Sequence, residues 1–227
     1  MKGYLVTGTD TGVGKTLISS GLLLRLQAQH ARVAGYKPVA AGLEPDGSNE
    51  DVELLRHYSQ PRLTAAQVCA YPLQAACAPH VAASAELQTL SISTILRGAE
   101  ALAKDADALV IEGAGGLRVP LSLDPRADTA DLFVQLHRAH GLPVVLVVAM
   151  RLGCINHALL TAEALMQRGL PIAGWVANCV QADMPYLEDN LLTLQTLLPA
   201  PCMGQVPYMT SSNAHERVAQ AANCLRL

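Results

Sequence analysis

The sequence predicts an α/β protein: a three-layer, doubly wound, mostly parallel sheet with helices on both faces. Three observations carry that prediction. Apolar, β-branched runs alternate with stretches of helical periodicity, the order that right-handed crossovers produce. One run, Pro143-Val144-Val145-Leu146-Val147-Val148, is continuously apolar, as a strand covered on both faces must be. A glycine-rich turn, Gly8-Thr9-Asp10-Thr11-Gly12-Val13-Gly14-Lys15-Thr16, joins the first apolar run to the first helical pattern.

Taken in order, Tyr4-Leu5-Val6-Thr7 reads as the first strand and residues 15–26 as the first helix. Glycines in the turn between them let successive N–H groups point inward at phosphate oxygens. The helix adds free N–H groups and the positive end of its dipole. Lys15 can then reach the β- and γ-phosphates, and the Thr16 hydroxyl can ligate Mg²⁺. Gly12, Val13, Gly14 and Leu17 belong to the same P-loop NTPase-like, phosphate-binding turn and the start of its helix. Five residues separate Gly8 from Gly14, one more than the standard spacing, so a strict pattern search misses the loop.

Residues 32–39 read as a second strand that Pro38 ends, because proline has no N–H for the ladder. Lys37 is thereby left at a strand's C-terminal edge. A helix is expected from Asn49, a good N-cap, with Asp51 in its first turn. Residues 60–89 are rich in Ala and Pro and predict short helical pieces and a loop. A helix over 92–104 precedes the strand Ala108-Leu109-Val110-Ile111-Glu112, which ends in a carboxylate and runs into Gly113-Ala114-Gly115-Gly116. The helix over 128–140 closes at Gly141. After the strand at 143–148, Gly153 leads to a helix over about 156–168, closed by Gly169. A strand over 172–177 leads to Asn178. A helix over 185–197, a short strand over 203–207 and a helix over 213–225 finish the chain. No repeat, low-complexity segment or linker interrupts it, so residues 1–227 read as one domain.

Composition sets the bounds. The chain is 51% hydrophobic and 15% charged, which describes a globular protein with a sizeable core. A net charge of −3 without a basic block argues against nucleic acid as a partner. The six cysteines are scattered with no CxxC pair, as free thiols in a reducing cytoplasm would be. The longest apolar run, residues 142–150, is too short for a bilayer, and the N-terminus enters a strand directly with no signal peptide apparent.

In a sheet of this kind, ligands bind outside the C-terminal ends of the strands. Residues 8–16, Lys37, Glu112, the turn at Gly153 and Asn178 all fall on that edge. Thr16, Asp51 and Glu112 can supply oxygen ligands for Mg²⁺. An acid in a first helical turn, such as Asp51, is also common for dipole reasons alone. Lys37 is either a second cation for phosphoryl transfer beside Lys15 or a group that holds an anionic substrate. The turn Arg151-Leu152-Gly153-Cys154-Ile155-Asn156 opens a helix and can bind a carboxylate through its backbone N–H groups, with Asn156 helping. Asn178 can meet a base edge. The seven histidines show no metal-ligand spacing.

These stretches, with Tyr36-Lys37-Pro38-Val39-Ala40, Ala78-Pro79-His80, Glu112-Gly113-Ala114-Gly115-Gly116, Leu152-Gly153-Cys154-Ile155-Asn156-His157 and Pro199-Ala200-Pro201, resemble the dethiobiotin synthetase family over nearly the whole chain. The resemblance implies a cytoplasmic, homodimeric ligase that takes ATP, CO₂ or bicarbonate and 7,8-diaminopelargonate to dethiobiotin through a carbamate and a carbamic–phosphoric anhydride. It implies catalytic roles for Lys37, Lys15 and Thr11. It places Asp51, Glu112, Gly113, Ala114 and Gly115 near ATP, with Asn178, Cys179, Pro207, Tyr208 and Met209 around adenine. Ala41 would touch the substrate, and Gly153, Cys154 and Asn156 would grip its carboxylate from the partner subunit. The sequence departs from the family pattern at Gly12, Ala41 and Leu117-Arg118-Val119, and Asn190 stands where some members use a tyrosine from the partner subunit, with Tyr186 one turn earlier. Two rivals fit less well. A glutamine-dependent ligase of the cobyrinic-acid-synthase kind needs a further domain. A nucleotide-driven switch for chromosome partitioning or septum positioning usually carries an extra lysine near Thr9 and Asp10.

Overall fold

In the computed structural model, which describes residues 1–227, the chain runs in this order. First come β1 (Lys2–Gly8), α1 (Lys15–Gln27), β2 (Val33–Tyr36), β3 (Val39–Ala41), α2 (Glu50–His57), α3 (Ala65–Val68), β4 (Tyr71–Leu73), α4 (Pro79–Ala85) and α5 (Ile92–Asp105). Then follow β5 (Ala108–Glu112), β6 (Pro120–Leu123), β7 (Arg126–Asp128), α6 (Thr129–His140), β8 (Val144–Met150), α7 (Cys154–Gln167), β9 (Ile172–Cys179), α8 (Leu187–Leu197), β10 (Cys202–Val206) and α9 (Ala214–Cys224).

Six strands form one all-parallel sheet in the order β10-β9-β8-β1-β5-β2. Because side chains alternate across a strand, neighbouring residues feed opposite faces. Val6, Val110, Val145 and Val147 pack with Ile18, Leu22 and Leu23 of α1 and Ala221 of α9. Leu5, Leu109 and Ile111 pack with Ile95 of α5 and Phe133 of α6. On that same second face, Leu146, Val148 and Trp175 meet Ala158 and Ala162 of α7 and Leu194 of α8. All seven residues of β8 are buried, which is why its sequence shows no polar alternation. No helix is long and apolar enough to cross a membrane.

Helix ends follow the local chemistry expected of them. Asn49 accepts a hydrogen bond from the Val52 N–H at the start of α2. Asp128 and Asp131 form a reciprocal capping box on α6. Gly141 closes α6 in the left-handed region.

The expected strand over 32–39 is two strands. β2 ends at Tyr36 in the main sheet, while β3 resumes after Pro38 and pairs in parallel with β4 in a separate two-stranded sheet. Pro38 cannot continue the ladder, and the Lys37 N–H turns away to the Val68 carbonyl at 2.8 Å. That break swings Lys37 out of the sheet. The stretch over 60–89 contains α3, β4 and α4, so the short helical pieces are joined by a strand. An antiparallel hairpin, β6–β7, fills the stretch between Gly116 and α6; its turn is at Asp124-Pro125, a dipeptide that favours turns, but its two strands are too short to show periodicity. The helix expected from 156 begins at Cys154, and the one expected from 185 begins at Leu187, after Tyr186 at φ 56°.

Candidate active site

β1 ends at Gly8, and the loop that follows is held by its neighbours. Gly14 lies at φ 90°, and a Cβ there would come within 2.2 Å of the Asn178 amide nitrogen. That nitrogen donates to the Val13 carbonyl at 2.8 Å, tying the loop to the end of β9. Val13 is fully buried, so the loop's underside belongs to the core. Lys15 folds back over the loop and donates from Nζ to the Asp10 carbonyl at 3.1 Å. Burial lowers the pKa of Lys15, and the Glu112 charge offsets that only in part.

A second cluster assembles from three other elements. In the sheet register Tyr36 faces Ile111, so the next residues, Lys37 and Glu112, leave β2 and β5 side by side. Asp51, in the first turn of α2, reaches them from above. Lys37 Nζ is salt-bridged to Asp51 Oδ2 at 2.6 Å and to Glu112 Oε1. The Thr16 hydroxyl lies 2.6 Å from Asp51 Oδ1 and 2.9 Å from Glu112 Oε1. Burial alone would lower the pKa of Lys37, but the Glu112 and Asp51 carboxylates override it and hold the ammonium above its ordinary value. Asp51 moves the opposite way: burial pushes it up, and Lys37 and the Thr16 hydrogen bond bring it below its ordinary value.

Thr11, Lys15, Thr16, Lys37, Asp51 and Glu112 line a cavity of about 530 Å³. Val39, Ala41 and residues 76–79 add a largely apolar lining, and Ala114, Gly115 and Val119 complete it. A hydroxyl and two carboxylates are hard oxygen donors, the set Mg²⁺ prefers. Glu112 Oε2 is buried without a hydrogen-bond partner, a lone pair left for a cation to occupy. The residues therefore fit that metal.

The structure brings together Thr11, Lys15, Thr16, Lys37, Ala41, Asp51, Glu112, Ala114 and Gly115. Gly12, Val13, Gly14, Leu17, Gly113, Asn178, Cys179, Pro207, Tyr208 and Met209 do not line this cavity. Leu17 and Met209 pack against the α1-side core, and the Gly113 N–H donates to the Val6 carbonyl at 3.0 Å. Gly153, Cys154 and Asn156 are also outside it: Gly153 and Asn156 are exposed at the start of α7, and Cys154 is buried beneath them. Two features lie beyond the sequence reading, which took Asp10 and Arg151 only as members of two separate turns. Arg151 pairs with Asp10 at 2.8 Å, joining the turn before α7 to the phosphate loop. Cys77 and Val119 line the cavity. Their one sequence signal is proximity to glycine- and proline-marked turns.

The AAA-domain family model matches residues 2–216. The chain is 47% identical over 212 residues to the ATP-dependent dethiobiotin synthetase BioD of Ralstonia nicotianae, covering 92% of this chain and 90% of that one. It is 46% identical over 216 residues to the enzyme of the same name from Cellvibrio japonicus, covering 94% and 92%. Among solved structures, the MinC:MinD cell division protein complex of Aquifex aeolicus superposes with a TM-score of 0.55 over 98% of this chain and 95% of that one. At 12% identity that likeness speaks for the P-loop fold alone, whereas the two relatives above, alike over nine-tenths of both chains, decide between a ligase and a switch. This chain belongs to the ATP-dependent dethiobiotin synthetase family.

Proposed function

We propose that this chain, a single ligase domain over residues 1–227, uses ATP to carboxylate 7,8-diaminopelargonate with CO₂ and to close the ring of dethiobiotin. One amine adds to CO₂ and loses a proton, giving a carbamate. A carbamate oxygen attacks the γ-phosphorus and ADP leaves. The second amine then attacks the carbamoyl carbon and expels phosphate. The observation that carries this reading is two buried ammonium groups, Lys15 and Lys37, on one cavity that apolar side chains also line.

No step needs a covalent nucleophile from the protein, only positioning and charge. Lys15 and the loop N–H groups hold phosphates. Lys37 stabilises the carbamate and the transferring phosphoryl group, and Thr11 touches the reacting groups from the loop. The lining formed by Val39, Ala41 and residues 76–79 suits the alkyl chain of the diamine. Thr16, Asp51 and Glu112 would hold Mg²⁺, which would supply positive charge against that of the phosphates. Asn178, Cys179, Pro207, Tyr208 and Met209 surround adenine. The protein works in the cytoplasm as a homodimer, with Gly153, Cys154 and Asn156 of one subunit closing the other's substrate site. What supports that last point is that Gly153 and Asn156 are exposed, absent from their own cavity and next to Leu152, which is 98% exposed.

The deciding assay supplies ATP, Mg²⁺, carbon-labelled bicarbonate and 7,8-diaminopelargonate and looks for label in an acid-stable product. ATP turnover that ignores the diamine would sink the proposal. For the shared site, inactive Lys37→Ala and inactive Asn156→Ala protomers are mixed. Random exchange in a two-fold dimer should restore about one quarter of the sites. No recovery despite proven exchange removes the partner's role.

A further inference from the structure

Lys37 stands where two carboxylates converge. Its Nζ engages Asp51 Oδ2 and Glu112 Oε1, and the Thr16 hydroxyl bonds the same pair from the other side. Glu112 is fully buried, and its Oε1 takes both Thr16 and Lys37 while Oε2 takes nothing. A buried carboxylate this far from water needs a cation beside it. One oxygen used twice and the other left empty describes a site whose present cation is only one of the cations it can hold.

We propose that Lys37 is the resident counter-ion of an open metal site. Without nucleotide, its ammonium holds Asp51 and Glu112 together; a divalent cation arriving with ATP replaces it there and releases it to the phosphates. This rests on the reading of Thr16, Asp51 and Glu112 as the metal's ligands. Two consequences follow from elementary electrostatics. Metal alone must displace two charge-assisted hydrogen bonds, so it binds weakly. Nucleotide phosphates give the displaced ammonium a new anion, so metal and nucleotide raise each other's affinity by the same factor. Lys15 does not share this role, because its Nζ bonds the Asp10 backbone carbonyl and no carboxylate.

The test is Mn²⁺ binding read by electron paramagnetic resonance, with and without ADP, on the full chain. Lys37→Met should bind Mn²⁺ at least about tenfold more tightly than the parent when no nucleotide is present. ADP should then improve that affinity much less than in the parent. Lys15→Met should gain far less. Unchanged or weaker Mn²⁺ binding by Lys37→Met overturns the proposal, and so does an equal gain in Lys15→Met, which would mean general charge and not occupancy. A Lys37→Met protein that folds only when Mn²⁺ is added also meets the expectation; one that stays unfolded in saturating Mn²⁺ overturns it. Glu112→Gln separates the two layers of the argument. If it weakens Mn²⁺ binding while Lys37→Met fails to strengthen it, only the counter-ion role falls. If Glu112→Gln leaves Mn²⁺ binding intact, the ligand assignment itself falls, and this proposal with it.

Discussion

Lys15 and Lys37 face the same cavity and are 6% and 5% exposed, yet their surroundings push them in opposite directions. Around Lys15 burial wins and the pKa falls; around Lys37 two carboxylates win and it rises. Lys15 is held by its own loop, five residues back in the chain. Lys37 is held by α2 and β5, partners 14 and 75 residues away. One lysine therefore belongs to a contiguous phosphate cradle, and the other to a charge cluster that exists only once the sheet has formed. Equal burial says nothing about role; the identity of the partner does.

The sharpest way to break that distinction is to neutralise each lysine. Lys37→Gln should depress turnover by about 10²–10³-fold, roughly 3–4 kcal/mol of transition-state stabilisation, and leave much of the ATP affinity intact. Lys37→Arg should not restore the rate, since a planar fork does not replace a compact ammonium between two carboxylates. Lys15→Gln should damage ATP binding and turnover together. Calorimetry of ATP binding beside steady-state rates decides it. A Lys37→Gln protein with poor ATP affinity and intact saturated turnover would make both lysines nucleotide ligands.

Glu112→Gln sharpens the same comparison from the acidic side. It should lower turnover and weaken the response to Mg²⁺. A strand-end position predicts little effect on folding, but Glu112 is fully buried and paired to Lys37. Neutralising it leaves a buried ammonium short of one partner, so the variant should lose about 1–3 kcal/mol of stability in urea unfolding. Full retention of stability would mean that Asp51 alone satisfies Lys37.

The contrast between the two lysines also governs what could be read in advance. The loop over 8–16 was legible because strand, glycines, Lys-Thr and helix are contiguous, and each is explained by local chemistry. The Lys37–Asp51–Glu112 cluster was legible only in outline: the order of strands placed Lys37 and Glu112 on one edge and Asp51 was a candidate ligand from a helix's first turn, but their contacts depend on the register that sets Tyr36 opposite Ile111. The β3–β4 pair was missed because three-residue strands carry too little periodicity, and Pro38 looked like an end when it was a change of sheet. The 153–156 turn shows the remaining gap. Its sequence marks it strongly, yet it does not line the cavity.

Within the loop, two glycines offer a smaller and cleaner test of how far tertiary contacts control a contiguous motif. Both lie in the left-handed region, at φ 73° for Gly12 and φ 90° for Gly14. Nothing stands within 4 Å of a Cβ at Gly12, whereas at Gly14 the Asn178 amide is in the way. Gly12→Ala should cost about 1 kcal/mol from backbone strain alone. Gly14→Ala should cost about 2–3 kcal/mol, because Asn178 must also give up the Val13 carbonyl. Equal losses in urea titrations would show that Asn178 does not brace the loop.

The smallest effect belongs to Asp10 and Arg151. Theirs is also an ion pair on the cavity's side of the molecule, at 2.8 Å, but the two side chains are 51% and 39% exposed. Water screens the attraction and both side chains lose freedom in holding it, so its net worth is at most about 0.5 kcal/mol. Asp10→Asn should therefore shift stability by less than the error of most titrations at physiological salt, and any loss seen at low salt should vanish as salt is raised. The Lys37–Glu112 pair should behave otherwise, because both side chains are buried and shielded from mobile ions. If Asp10→Asn destabilises as much as Glu112→Gln and salt does not abolish the loss, the loop and the turn before α7 form one rigid unit. The phosphate cradle would then depend on distant elements as fully as Lys37 does.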